Sequence, residues 1–210
     1  RGSGPLPSHR RRRWALHSFR HGRGASAAAM GRGEAPPEVE LERLAAKSAE
    51  RFEAVGYGGP FGKLVGVTCR PIQALWAGTG SVLDIGAKSE TGETRYIIAK
   101  LIGPPEDPED YEGKRDHDSF YVEAAFYDQG HAEKLLKAGA TVPQGLAIER
   151  LDGGRVHICM TKLTGKPRSV HEVRAQAALT WLARLHATYW GHERADAAVA
   201  SGLQPQGCYW

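Results

Sequence analysis

Between residues 38 and 55, Leu41, Leu44, Ala45, Ser48, Phe52 and Val55 recur at helical spacing with charges on the opposite side, which predicts an amphipathic docking helix. Residues 56–62, rich in glycine, break that periodicity. From Lys63 to Ile102 the pattern changes to short strand-like runs, with turns at Ala77-Gly78-Thr79-Gly80 and Ser89-Glu90-Thr91-Gly92. Three antiparallel strands are expected, at about 64–75, 81–87 and 94–102.

A stretch rich in Pro, Asp and Glu, residues 103–116, predicts an exposed, mobile loop. A helix then begins near Asp118 or Ser119, stops at Gly130, and is followed by a shorter helical piece up to Gly139. Residues 144–151 and 155–163 read as two strands joined by Asp152-Gly153-Gly154, because a tight hairpin needs the positive φ that glycine supplies. In the second of them Val156, Ile158 and Met160 alternate with His157, Cys159 and Thr161. Ser169-Val170-His171-Glu172 has the form of a capping box, opening a helix whose buried stripe is Val173, Ala177, Trp181, Leu185 and Tyr189. The order is helix, three strands, helix, two strands, helix, without internal repeat. The expected fold class is α+β, a five-stranded antiparallel sheet with an inserted helix.

Composition agrees with a folded, soluble protein of one or two domains: 210 residues, 41% hydrophobic and 25% charged. No run approaches the roughly 20 apolar residues that cross a bilayer, so no membrane span is expected. Cys69, Cys159 and Cys208 are scattered and odd in number, which argues against a disulfide framework or zinc site and for a reducing, cytoplasmic location. The net charge of +4 arises in the first part of the chain, where no acidic residue precedes Glu34. Residues 1–37, with Arg10-Arg11-Arg12-Arg13, Arg20 and Arg23, read as a disordered basic arm. Its composition is equally that of an organelle transit peptide, a nucleic-acid tail, or a translated leader before a start at Met30. Myristoylation after Met30 is not supported, because Ala35 stands where Ser or Thr is needed. The chain opens on Arg1 and ends on Gly207-Cys208-Tyr209-Trp210 without a closing helix, which reads as a fragment.

The candidate chemistry begins at Lys100, inside the apolar strand Tyr96-Ile97-Ile98-Ala99-Lys100-Leu101-Ile102. Strand alternation puts Lys100 on the face of Tyr96, Ile98 and Ile102, where an unpaired ammonium is costly to bury. Glu123 is its expected partner, spaced three residues from Phe120 and from Phe126 and four from Tyr127, on the aromatic side of the following helix. A structural ion pair explains these two residues as well as a functional one does. The glycine turn in Trp76-Ala77-Gly78-Thr79-Gly80-Ser81 adds backbone amides that phosphate oxygens can approach closely, although a plain hairpin has the same composition.

Ser119-Phe120-Tyr121-Val122-Glu123-Ala124-Ala125-Phe126-Tyr127 and Trp181-Leu182-Ala183-Arg184-Leu185-His186-Ala187-Thr188-Tyr189-Trp190 resemble segments of the choline kinase-like, ecdysteroid kinase-like and aminoglycoside phosphotransferase superfamily. The resemblance spans about residues 62–190. It implies a protein kinase-like fold, with an ATP-binding N-terminal lobe over residues 38–163 and the start of an incomplete helical C-lobe over 164–210. In that family's terms Lys100 holds the α and β phosphates of ATP, Glu123 orients Lys100, and Gly78, Thr79, Gly80 and Ser81 cover the phosphates. The hinge that meets adenine is then Met160, Thr161, Lys162 and Leu163. The family often carries Glu-Asp-Leu there, where this chain has Thr161-Lys162-Leu163, and an Asn in the phosphate loop, where this chain has Val82.

The family's His-Gly-Asp motif, its downstream Asn and its metal-binding Asp are not found, and the chain has no asparagine at all. Asp116-His117-Asp118 precedes the Glu123 helix and lacks the following Asn, so it reads as a polar helix start. His186, Trp181 and Trp190 read as packing residues beside an exposed apolar patch. The expectation is the ATP-binding portion of a small-molecule kinase, inactive alone, whose partners are ATP, magnesium held outside this chain, and a hydroxylated small molecule. A noncatalytic nucleotide-binding or scaffold module is the alternative, and a nucleic-acid-binding protein, resting on the arm alone, ranks behind both.

Overall fold

The computed structural model describes residues 36–75, 79–103, 111–165 and 175–205, with the backbone alone for 111–117. The basic arm, Gly78 and the capping box at Ser169 lie outside the described residues. The fold is α+β, as the residue pattern predicts. Strands β1 (Leu64–Ala74), β2 (Gly80–Ser89), β3 (Thr94–Ile102), β4 (Gly145–Arg150) and β5 (Val156–Thr161) form one antiparallel sheet in the order β1-β2-β3-β5-β4.

Helix α1 (Glu38–Ala49) follows Pro37, with Glu38 and Glu40 in its first turn and Lys47 in its last, the arrangement that suits the helix dipole. It ends six residues before the periodicity does, because the chain turns back at Gly56, φ 66°, and Tyr57 N–H donates to Phe52 O at 2.7 Å. The stripe is buried all the same: Leu44, Ala45 and Phe52 are fully enclosed against Leu83, Ile85, Ala87, Ile97, Ala99 and Cys159 of one sheet face.

The opposite face carries α2 (Tyr111–Asp128) and α3 (His131–Lys137), with Ala124, Tyr127 and Leu135 packed on Ile102, Val156, Ile158 and Met160. Helix α2 begins at Tyr111, earlier than the pattern predicts, so the expected loop is helical from there on. The physical reason is that the helix-breaking prolines, Pro104, Pro105 and Pro108, all precede it, while Glu112, Lys114 and Arg115 are good helix formers. Asp116-His117-Asp118 therefore lies within α2 rather than at its start. The β4–β5 connection is one turn of 3-10 helix, Asp152–Gly154, with Gly153 at φ 71° and Gly154 at φ 74°.

Helices α4 (Ala175–Tyr189) and α5 (His192–Ala200) follow, the latter not foreseen because Ala198 alone of its residues is buried. His131 of α3 joins both. Its Nε2 lies 2.9 Å from Ser201 Oγ, which itself donates to Ala198 O at 2.7 Å, and its Nδ1 lies 2.9 Å from Tyr189 OH. That pattern assigns the proton to Nε2, with Tyr189 donating to Nδ1. Trp181 and Leu185 pack against the α2–α3 core, and Trp181 Nε1 donates to Thr141 O at 3.0 Å. Leu179, Leu182 and Trp190 are exposed, as is His186, which is therefore not the packing histidine of this region. Among the described residues no helix is long and apolar enough to cross a membrane.

Candidate functional site

The register of the sheet fixes which side chains share the face under α2. Lys100 pairs with Val82 of β2 and Ile158 of β5, and Ile98 pairs with Asp84 and Met160. Directly paired residues project to one side, so Lys100, Val82, Asp84, Ile98 and Met160 share a surface. Lys100 Nζ donates to Glu123 Oε1 at 2.6 Å and Oε2 at 2.8 Å, and both side chains are more than two-thirds buried. The two residues that the sequence pattern pairs are thus brought together. An ammonium has three N–H donors, so Lys100 keeps one for another acceptor.

The entry to β2 is held by backbone bonds: Leu75 N–H donates to Gly80 O at 2.8 Å, and Gly103 N–H, just after β3, donates to Thr79 O at 2.7 Å. A Cβ on Gly80 would lie 2.0 Å from Leu101 O, so only glycine fits against β3 there. Thr79 is buried. Ser81 pairs with Leu101 and Thr161 with Ile97, which places both side chains on the α1 face, away from Lys100. Thr161 Oγ1 accepts from Gln144 N–H at 2.9 Å. Met160 faces Lys100's side, where its sulfur accepts from Tyr127 OH at 3.3 Å, and Leu163 is about half exposed just beyond β5.

Asp84 completes this surface and was not singled out from the sequence. Its Oδ2 accepts from Arg70 Nη2 at 2.8 Å and Lys162 Nζ at 2.7 Å, while Lys162 Nζ also lies 4.7 Å from the centroid of the Tyr96 ring. Asp84 is only 6% exposed, and its Oδ1 is buried without a hydrogen-bond partner. An unmet buried acceptor costs about 1–3 kcal/mol. Burial acts to raise the Asp84 carboxyl, but the hydrogen bonds from Lys162 and Arg70 outweigh it and hold it below its ordinary value. The available signal was the one that revealed Lys100, a charge within an apolar strand, Val82-Leu83-Asp84-Ile85.

A second charged cluster lies between α1 and the β4–β5 edge. Arg43 donates to both oxygens of Glu149, at 2.6 and 2.7 Å, and to both of Glu40, at 3.0 and 2.8 Å, and Lys47 also bonds Glu149. The Arg43 hydrogen bonds depress the Glu149 carboxyl to about 2. His157 Nδ1 sits 3.2 Å from Glu40 Oε1, and burial lowers the pKa of its ring. This cluster belongs to the helix–sheet junction, on the far side of the sheet from Lys100.

Among the described residues no group of three or more His, Cys, Asp or Glu side chains is arranged to hold a metal ion. The chain matches no protein-family model and no curated protein. The chemistry the described residues can perform is therefore read from their geometry: a glycine-closed turn, an oriented ammonium, an apolar strip of Val82, Ile98 and Met160, and an acidic and basic group beyond it.

Proposed function

We propose that the α2 face of the sheet binds a nucleoside triphosphate, as the ATP-binding lobe of a small-molecule kinase of protein kinase-like fold. The observation that carries this reading is the Lys100–Glu123 pair, an ammonium held by both oxygens of one carboxylate between the sheet and its inserted helix. Lys100 would direct its remaining N–H at phosphate oxygens, Glu123 would fix its orientation, and Gly80 would keep the turn close to β3. Ile98, only partly buried, offers apolar surface for the base. The acceptor class is a hydroxylated small molecule, as the motifs around Glu123 and His186 imply.

Magnesium does not fit the described residues, among which no carboxylate cluster is available to it. Binding and positioning are the roles assigned to these side chains. A second reading is a nucleotide-binding module without transfer activity, which the same Lys100–Glu123 geometry would serve equally. Titration calorimetry with ATP and inorganic tripolyphosphate tests the binding claim, with Lys100→Met as control. Both ligands should bind the full chain and both should weaken at least ~10-fold in the variant. Unchanged affinity in Lys100→Met would remove the basis of the proposal.

A further inference from the structure

Resting on the nucleotide reading above, we propose that Asp84 is the base-reading residue of the site, its free Oδ1 accepting a hydrogen bond from an amino group of a purine base. Asp84 is paired across the sheet with Ile98, and Ile98 is two residues along β3 from Lys100. Two residues of strand span about 7 Å, so phosphates held at Lys100 leave the base to be received over Ile98, beside Asp84.

The bonding of Asp84 is lopsided. A carboxylate serving only to clamp β2 to the segment after β5 would offer one oxygen to each cation, yet Arg70 and Lys162 both take Oδ2. Oδ1 is left buried and unpartnered, and it can only accept. A group that supplies a donor to it satisfies the orphan atom. Both cations over Asp84 reach solvent, Arg70 73% and Lys162 37% exposed, so either can turn outward on its long stem as a base enters. The chemical class selected is a base with an exocyclic amino group, adenine or guanine. Hypoxanthine, which carries no such group, is selected against.

The test is equilibrium binding of ATP, GTP, ITP and tripolyphosphate to the full 210-residue chain and to Asp84→Asn. ATP or GTP should bind wild type at least ~10-fold more tightly than ITP, and whichever of the two prevails names the base. Asp84→Asn should bring that ratio to within about 3-fold of unity, because an amide can donate to the oxygen of hypoxanthine, and should leave tripolyphosphate unchanged. Equal binding of ATP, GTP and ITP by wild type overturns the assignment without any variant, and so does an Asp84→Asn protein that keeps the wild-type ratio. Should wild type bind neither ATP nor tripolyphosphate, the nucleotide reading falls and this inference with it. Tripolyphosphate binding without base preference sinks the inference alone.

Discussion

A single ammonium, Lys100 Nζ, occupies both oxygens of Glu123, at 2.6 and 2.8 Å, across the interface between strand β3 and helix α2. The pair is partly open to solvent, so its net contribution to folding is small, whereas its effect on where the ammonium points is large. Glu123→Gln should therefore weaken ATP binding by roughly 10-fold while shifting stability by less than about 1 kcal/mol. Combined with Lys100→Met it should add almost nothing, because the two residues act as one unit. Calorimetry on the two single variants and the double variant measures that coupling. Additive losses would show that Glu123 acts independently of Lys100.

Gly80 is fixed by close approach rather than by flexibility, since a methyl group there would lie 2.0 Å from the Leu101 carbonyl oxygen. Gly80→Ala should destabilise the protein by about 2–4 kcal/mol, through forced separation of β2 from β3. Urea unfolding checks this, and the loss should be accompanied by weaker nucleotide binding. Full retention of stability would mean that the turn relaxes at no cost.

How far the site could be read from the residue pattern depends on the range of the interactions. Lys100 and Glu123 were legible because strand alternation and helical spacing, both local, aim them at each other. The register of β2 and β5 against β3, which alternation within one strand does not supply, puts the Ser81 and Thr161 side chains on the α1 face, leaving only their backbones near the proposed ligand. Asp84 carries the same mark as Lys100, a charge within an apolar strand, but its contact with Lys162, 78 residues away, forms only through the sheet order that sets β5 beside β3. Helix α5 was hidden for a different reason: its alanine-rich surface is mostly exposed, so no apolar stripe marks it. The fold class and all five strands, by contrast, follow from periodicity and turn residues alone.

Glu149 contributes to the pH dependence of folding. Its carboxyl is lowered from an ordinary 4.5 to about 2 by hydrogen bonds from Arg43, so the unfolded chain binds the proton more readily than the folded one. The stability it contributes is complete above the unfolded value and is lost as pH falls from about 4.5 towards about 2. Glu149→Gln should cost roughly 2–3 kcal/mol at pH 7, and the gap from wild type should narrow as pH is lowered through that window. Urea midpoints at pH 7 and pH 3 measure it. A gap that stays constant with pH would exclude ionised Glu149 as the source.

Amide hydrogen exchange with and without ATP tests the nucleotide site most directly, because it reports where the ligand sits as well as whether it binds. Saturating ATP should slow exchange in the turn at Thr79 and Gly80, in β3 around Ile98 and Lys100, and in the segment from Met160 to Leu163, and Lys100→Met should abolish that protection. Protection confined to the α1 side of the sheet, or no change anywhere on adding ATP, would contradict the assignment of this face as the nucleotide site.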